Sequence, residues 1–348
     1  AVSALAGSCH SRLPASGRAS RWGRRLPMSS MSLCRRVLTV RKTPWWRPAA
    51  TASGIMCGAG VALALTQATE LGRLWRTQLR GRAGACKGAT EGLERTGPGG
   101  ASTLLLFLGD SLVEGVGGQV EGAPSPAALP RNVAARLAEH SGGQVQWASV
   151  GITGADVEEL QREGLPRLKE KLAAVAPCAQ NIVVVLVVGA NDLRHFKVVS
   201  YRLRLRRLVN ELRGLRLGAR NDRGVDAVVL PGLRIADAPM LQRYPLQCFL
   251  SPVCALWERE KQKAVGFFQE VQVLPFPPLP PGQSMEPMFS ADQMHPSISG
   301  YEWWGQDLAR QIHVLLKERH AKRQSMESIG ESWWRLSVSG ADVAYLGA

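Results

Sequence analysis

Three short stretches of this chain carry residue types that could together perform acyl transfer. Ser111 comes after the apolar run 104–108 and a Gly-Asp pair, where a buried strand would end and the chain would turn. A serine hydroxyl is a poor nucleophile unless a base takes its proton. His295 is a candidate base because histidine titrates near neutral pH. Asp292, three residues before it, could orient the ring and offset the charge that the ring gains.

The same chemistry needs donors for the oxyanion that forms when an ester carbonyl is attacked. The backbone N–H of Ser111 could be one donor. Asn191 follows a second apolar run, 182–188, and its side-chain amide could be another. The backbone N–H of Gly154 could be a third, because glycine lets a substrate approach the main chain without a Cβ in the way.

Each stretch also has a purely structural interpretation. Gly-Asp-Ser is common turn chemistry, Asn191-Asp192 could cap a helix, and a lone His-Pro in a loop is usually part of the surface. The joint pattern favours chemistry, because sites in open α/β sheets form where parallel strands end. We therefore expect the three stretches to meet at the carboxyl edge of a sheet.

The elements that must position these residues alternate along the chain. Apolar runs typical of strands cover 103–108, 145–149, 182–188, 227–230 and 271–275. Helical spacing of apolar residues covers 129–140, 157–175 (which Pro166 should kink or split), 198–217 and 298–316. The run 182–188 is apolar on both faces, as expected of a central parallel strand. The alternation predicts an α/β fold with a doubly wound parallel sheet of about five strands.

The sequence resembles the SGNH, or GDSL-type, hydrolase family. The similarity lies in four blocks that occur in order over 103–316, which read FLGDSL at 107–112, SVGITGA at 149–155, GAND at 189–192 and DQMHPS at 292–297. The segment that follows Asn191 looks particularly like the bacterial thioesterase/lysophospholipase branch. The second block often begins with Asn in the family, whereas this chain has Ser149, which we expect to support the loop.

The resemblance implies a flavodoxin-like three-layer α/β/α sandwich and a serine hydrolase that needs no metal and no cofactor. The resemblance implies that Ser111 is the nucleophile and that His295 is the base, with Asp292 as its carboxylate. It also implies an oxyanion hole that is formed by Ser111, Gly154 and Asn191. Gly151 is the alternative to Gly154 if the second block is aligned differently.

The predicted function is that of an esterase that cleaves carboxylic esters through an acyl-enzyme on Ser111. The substrate would be a small-molecule, lipid or carbohydrate ester, and the sequence defines neither its acyl chain nor its alcohol. Two alternatives remain open. The same site could pass the acyl group to an acceptor alcohol, as an acyltransferase does, or the scaffold could bind a ligand without catalysis.

The net charge of +15 raises the question of nucleic-acid binding. Residues 1–100 contain 16 Lys and Arg and 3 acidic residues, whereas residues 101–348 contain 27 and 25. The excess therefore belongs to the N-terminal part, and no basic stripe with interleaved aromatic residues is found. We expect no nucleic-acid partner.

The composition divides the chain into four parts. Residues 1–69 are rich in Arg and Ser and contain no acidic residue, which is typical of a transit peptide for a plastid or mitochondrion. Within them, 48–69 is uncharged and about long enough to anchor the chain in a membrane. A disordered basic extension is the alternative. A linker at 70–100, a hydrolase domain at 101–320 and a C-terminal tail at 321–348 complete the prediction.

Two further expectations concern the loops and the cysteines. The irregular segment 231–252 could line or cover the pocket. The seven cysteines include no CxxC pair, so that a zinc site is not expected. Cys248 and Cys254 could close a small disulfide loop, but the odd total favours free thiols.

Overall fold

The computed structural model describes residues 59–70, 72–73, 89–97, 102–118, 128–174, 179–217, 223–279 and 281–344. The predicted leader as far as residue 58, and residues 74–88 of the predicted linker, lie outside the described residues.

A six-stranded sheet forms the centre of the fold. Its strands are β1 (Glu91–Arg95), β2 (Thr103–Gly109), β3 (Gln144–Gly151), β4 (Asn181–Val187), β7 (Ala227–Pro231) and β8 (Val271–Leu274). The spatial order is β1-β3-β2-β4-β7-β8. All neighbours are parallel except β1, which runs antiparallel to β3. A separate two-stranded sheet pairs β5 (Arg216–Leu217) with β6 (Arg223–Gly224).

Helices cover both faces of the sheet. The helices of the described residues are α1 (59–70), α2 (Ser111–Glu114), α3 (Ala128–Ser141), α4 (Val157–Glu159), α5 (Leu165–Ala174), α6 (Val198–Arg213), α7 (Leu246–Val265) and α8 (Ile298–Ala344). One apolar cluster joins the sheet to α4, α5, α6 and α7, and a second joins its other face to α3 and α8. The five parallel strands have the spatial order 2-1-3-4-5 of flavodoxin-like folds. The predicted three-layer sandwich is thus confirmed.

Strand β2 shows why the sheet needs both helical layers. All seven of its residues are buried. Leu104, Leu106 and Leu108 belong to one cluster, whereas Leu105 and Phe107 belong to the other. This is the two-residue alternation of a strand that is covered on both faces.

The predicted helix 157–175 changes from α to π geometry before Pro166, which is the second residue of α5. Pro166 lacks the N–H that would bond to the preceding turn. A π-helical turn at Leu160–Gly164 joins α4 to α5.

Three boundaries differ from the prediction. Strand β1 lies within the predicted linker 70–100 and adds an antiparallel edge to the five parallel strands. No apolar pattern predicts β1, because it is an edge strand whose one large apolar residue, Leu93, is 47% exposed. Helix α7 begins at Leu246, inside the segment expected to be irregular, and contains Pro252.

Helix α8 is the third difference, because it continues through the predicted tail as far as Ala344. Beyond the expected end at residue 316, Arg319 donates to the main-chain carbonyl of Asp226 and Arg323 donates to its carboxylate. These contacts extend the docked part of the helix past its apolar stripe.

No described helix is both long enough and apolar enough to cross a membrane. Of the predicted anchor 48–69, only 59–69 is described, and it belongs to α1. Cys248 and Cys254 are free thiols, so the small disulfide loop is not formed.

The hydroxyl of Tyr301 ties α8 to the segment after α2. It donates to the carbonyl of Val116 at 2.8 Å, and both residues are buried. We expect Tyr301→Phe to lower the free energy of unfolding by about 1–2 kcal/mol, because it leaves a buried carbonyl without this donor. Urea unfolding measures the change, and Tyr244→Phe, at a side chain that is 79% exposed, is the control. Equal stabilities of the Tyr301 and Tyr244 variants would contradict this reading.

Candidate active site

Ser111 is the first residue of α2, in the turn that follows β2. Asp110 caps the helix, and its side chain accepts a hydrogen bond from the Leu112 N–H at 3.1 Å. The N–H of Ser111 has no partner inside its own helix, as is usual for a first residue. The serine side chain and this N–H are therefore presented together at the carboxyl edge of the sheet.

The loop between β8 and α8 brings a histidine and a carboxylate to Ser111. His295 Nε2 lies 2.9 Å from Ser111 Oγ, and His295 Nδ1 lies 2.8 Å from Asp292 Oδ2. His295 is 4% exposed and Ser111 is 7% exposed. Since a carboxylate only accepts, Nδ1 carries a proton, and in a neutral ring Nε2 is left to accept from the serine hydroxyl.

Asp292 is held by donors on its other oxygen. Its Oδ1 accepts from Ser290 Oγ at 2.8 Å and from the N–H groups of Met294 and His295, each at 2.9 Å. Burial alone would raise the pKa of Asp292, but the hydrogen bond and charge of His295 and the two N–H groups outweigh it, so the pKa lies well below its usual range. The group is a carboxylate at neutral pH.

The segment after α2 also packs against the histidine. Gly117 has φ +91°, and a Cβ at this position would lie 2.8 Å from His295 Cβ and 2.6 Å from the carbonyl oxygen of Pro296. Only glycine fits this combination of backbone angle and contact. The two distant stretches that carry Ser111 and His295 therefore touch at a second point.

Asn191 follows β4 and is 2% exposed. One of its Nδ2 hydrogens goes to Asp110 Oδ2, at 2.9 Å. An amide nitrogen has two hydrogens, so this bond orients the group and leaves the second hydrogen available. Burial raises the pKa of Asp110 to about 6, against the opposing effects of the Leu112 N–H and the His295 charge.

Gly154 lies in the turn after β3. It has φ +79°, and the turn is closed by the Ala155 N–H, which donates to the carbonyl of Ile152 at 3.0 Å. A Cβ on Gly154 would meet nothing within 4 Å. The alternative, Gly151, is packed against the main chain of Glu114, where a Cβ would lie 2.5 Å from the backbone nitrogen.

Ser149, where the family often has Asn, supports the fold. Its hydroxyl and its N–H both donate to the carbonyl of Thr90, at 3.2 and 2.7 Å.

A cleft of about 770 Å³, its open mouth included, adjoins Ser111, Asn191 and His295. The other walls are almost entirely apolar. They are formed by Leu112, Ala190, Leu233, Ile235, Ala238, Phe276, Met285, Met288, Phe289, Met294, Pro296, Trp303 and Trp304, together with Gly300 and Arg234. The first part of the segment 231–252 thus lines the cleft. The described residues that line it do not include Gly154.

A second, polar cavity borders the same loops. Its lining includes Asp156, Asp192, His195 and Tyr201. Burial raises the pKa of Asp192 to about 7, and the nearby charges of Asp156 and Asp110 act in the same direction, against the Val157 N–H. Within the described parts of the chain, no group of three or more His, Cys, Asp or Glu side chains is placed to hold a metal ion.

Comparison with known proteins extends this description. The sequence profile of the GDSL-like lipase/acylhydrolase family matches residues 107–303, which is more than half of the chain. The chain belongs to the GDSL-like lipase/acylhydrolase family. A search of curated proteins gives no match.

Solved structures of related proteins resemble this GDSL-like chain at low sequence identity. A lipase, Lip_vut3, from a goat rumen metagenome is 18% identical, with a TM-score of 0.44 over 61% of this chain and 96% of its own. The carbohydrate acetylesterase Est24 from Sinorhizobium meliloti is 16% identical, with a TM-score of 0.42 over 61% and 99%. A lipase/acylhydrolase from Enterococcus faecalis is 21% identical, with a TM-score of 0.39 over 61% and 95%.

Several residues for which the sequence predicts no role hold this GDSL-like site together. Asp110 orients Asn191, Ser290 donates to Asp292, and Arg194 contacts the carbonyls of Asn191 and Gly154. The position of Asp110 between Gly109 and Ser111 was a usable signal, since a charged residue at the end of a buried strand needs a partner. Arg194 carried no such signal, because its partners are backbone atoms.

The titration of Asp110 gives a prediction with a definite sign. Because its pKa is raised from 3.8 to about 6, the unfolded chain releases this proton at a lower pH than the folded chain. Asp110 therefore costs stability progressively as the pH rises from about 4 to about 6. Asp110→Asn removes that titration.

Urea unfolding of both proteins across this range provides the measurement. The free energy of unfolding of the wild type should fall relative to that of Asp110→Asn as the pH rises through the window, and the difference should be constant above it. Parallel pH curves for the two proteins would be inconsistent with a raised pKa.

Proposed function

We propose that this protein is a serine hydrolase of carboxylic esters that works through an acyl-enzyme on Ser111. The observation that carries the proposal is the buried contact of 2.9 Å between Ser111 Oγ and His295 Nε2, with Asp292 at 2.8 Å behind the ring. The domain that performs this reaction would begin at β1, before residue 101, and include the docked part of α8.

In the first step, Ser111 Oγ attacks the ester carbonyl carbon while His295 Nε2 takes the hydroxyl proton. The imidazolium that forms is stabilised by the Asp292 carboxylate, whose depressed pKa keeps it ionised. When the tetrahedral intermediate collapses, the ester C–O bond breaks and His295 returns the proton to the leaving alcohol. In the second step, the same nitrogen takes a proton from water as the water oxygen attacks the acyl carbon. The bond from that carbon to Ser111 Oγ then breaks, His295 returns the proton to Ser111, and the acid is released.

Three donors would stabilise the oxyanion. The Ser111 N–H and the second hydrogen of Asn191 Nδ2 both belong to residues that line the cleft. The Gly154 N–H would be the third, approached through the open space over its α-carbon. Ser111 and Asn191 are buried, and a fixed dipole is most effective where water is excluded.

The walls of the cleft favour an ester with an apolar substituent. Three methionines and four aromatic side chains contribute to it, namely Met285, Met288, Met294, Phe276, Phe289, Trp303 and Trp304. Methionine adapts to flexible chains. A linear aliphatic group would therefore gain more contact here than a sugar would.

Removal of the nucleophile tests the reaction. Ser111→Ala should reduce hydrolysis of p-nitrophenyl acetate by at least about a thousandfold, with the melting temperature preserved, because the change deletes one oxygen. Ser325→Ala, at an exposed serine of α8 outside the cleft, is the matched control and should retain full activity. Undiminished turnover by Ser111→Ala would refute the mechanism. Formation of the acetyl ester of an added alcohol, instead of acetate, would assign an acyltransferase.

A chain-length series tests the apolar cleft. We expect kcat/KM to rise by about tenfold from the acetate to the octanoate ester of p-nitrophenol, because about 50 Å² of added apolar contact is worth about 1.3 kcal/mol. Trp303 lies edge-on to Phe276, with ring centroids 5.5 Å apart, and Trp303→Ala should remove most of that rise while acetate hydrolysis stays unchanged. Phe267→Ala, at an exposed ring outside the cleft, is the control. A flat series would show that the cleft does not bind the acyl chain.

A further inference from the structure

Arg194 connects two loops that flank the serine. It lies in a 3-10 turn, Asn191–His195, that follows β4. Its Nε donates to the main-chain carbonyl of Asn191 at 3.0 Å, and its Nη2 donates to that of Gly154 at 2.7 Å. One guanidinium therefore bridges the turn after β4 and the turn after β3.

The order of the strands in the sheet shows which loops this bridge connects. Strand β2 lies between β3 and β4, so the loops that carry Gly154 and Asn191 stand on either side of the one that carries Ser111. The direct hydrogen bond of Asn191 to Asp110 fixes the Asn191 loop to the serine turn. The Gly154 loop is held to α2 by Glu114 Oε2, which accepts from the N–H of Thr153 at 2.9 Å and from its hydroxyl. The contact of Arg194 with the Gly154 carbonyl is a separate link, which joins this loop to the Asn191 turn.

We propose that Arg194 is a positioning residue of the oxyanion hole, which holds the Gly154 N–H at a fixed distance from the Asn191 amide. This inference rests on the proposed esterase function. Arginine suits the task because its planar fork presents several N–H donors in a fixed geometry, whereas lysine offers a flexible point charge.

Two weaker contacts join the same loops further along. The Val157 N–H donates to Asp192 Oδ1 at 3.3 Å, and His195 Nε2 lies 3.3 Å from Asp156 Oδ2. Both act on the start of α4 rather than on Gly154 itself. His195 is half exposed, and ion pairs at such positions contribute little.

The exposure of Arg194 separates its effect on catalysis from an effect on stability. The residue is exposed, and substitutions at such positions usually change stability by less than about 0.5 kcal/mol. Oxyanion donors, by contrast, must lie close to 3 Å from the developing charge, and a displacement of about 1 Å can reduce the rate about a hundredfold.

The test compares Arg194→Gln and Arg194→Lys with the wild type on p-nitrophenyl esters. We expect kcat to fall by about tenfold to a hundredfold, with KM within about a factor of two and the melting temperature nearly unchanged. Arg213→Gln is the matched control, since Arg213 also makes two hydrogen bonds from one fork, to Glu270 Oε2 at 3.1 and 2.8 Å. It should leave kcat unchanged. Unaltered kcat in Arg194→Gln, or a change confined to KM, would overturn the proposal.

A double-variant cycle adds a readout that a purely structural role would not produce. If Arg194 acts through the oxyanion donors, the effects of Arg194→Gln and Asn191→Ala on kcat should combine to less than their product. If kcat of the double variant falls by the product of the two single reductions, the two residues do not share a role.

Amide hydrogen exchange tests the bridge independently of activity. Exchange in a peptide that spans 152–157 should accelerate in Arg194→Gln and remain unchanged in Arg213→Gln. If the wild type shows no turnover that depends on Ser111, the esterase proposal fails on its own, while this measurement still decides whether Arg194 holds the turn. Identical exchange in Arg194→Gln and wild type would refute the bridge.

Discussion

The parallel pairing of three strands in register is the constraint on which the rest of the structure depends. In β2, Gly109 pairs with Gly151 of β3 on one side and with Val187 of β4 on the other. The three strands therefore end at one level, and the next residues of each begin a loop at the same edge. A shift of one strand by one residue would move its apolar side chains to the wrong faces. The buried core and the meeting of the loops are thus set by the same register.

The histidine arrives by a different route. It follows β8, which is separated from β2 by two strands in the sheet, so register alone does not bring it to Ser111. The connection is made by a loop that returns across the edge and whose carboxyl end is held against the segment after α2. Gly117 packs against His295, and Tyr301 binds the carbonyl of Val116. Asp292 also stabilises the loop internally, because it accepts hydrogen bonds from the backbone N–H groups of Met294 and His295 and from the histidine ring.

The sequence predicted those parts of the fold in which burial requires apolar residues at a regular spacing. Strands β2, β4 and β7 are buried along their whole length, and the stripe of α6 is marked by Leu205, Leu208 and Leu212, all of which are buried. Strand β1 escaped prediction because its side chains face water and its pairing is made by backbone groups. The extension of α8 was not predicted because it is held by hydrogen bonds from arginines to Asp226. Such contacts give no periodic apolar pattern in the sequence.

The candidate site divides in the same way. Side chains that would act directly on a substrate could be named from type and order, as with Ser111, Asn191 and His295. Residues that only position these side chains could not be predicted from residue type and order. The bonds of Asp110 to Asn191 and of Arg194 to the Gly154 carbonyl depend on distances between loops that are 81 and 40 positions apart in the chain. The apolar cleft likewise draws its walls from four separate segments, which no local window of sequence connects.

The most direct test of the account is a crystal structure of the wild-type protein after reaction with an alkyl fluorophosphonate. We expect phosphorus bonded to Ser111 Oγ and the alkyl chain in the cleft beside Trp303. One phosphonyl oxygen should lie within hydrogen-bond distance of the Ser111 N–H, Asn191 Nδ2 and the Gly154 N–H. An unmodified Ser111, or an adduct whose oxygen points away from all three donors, would contradict it.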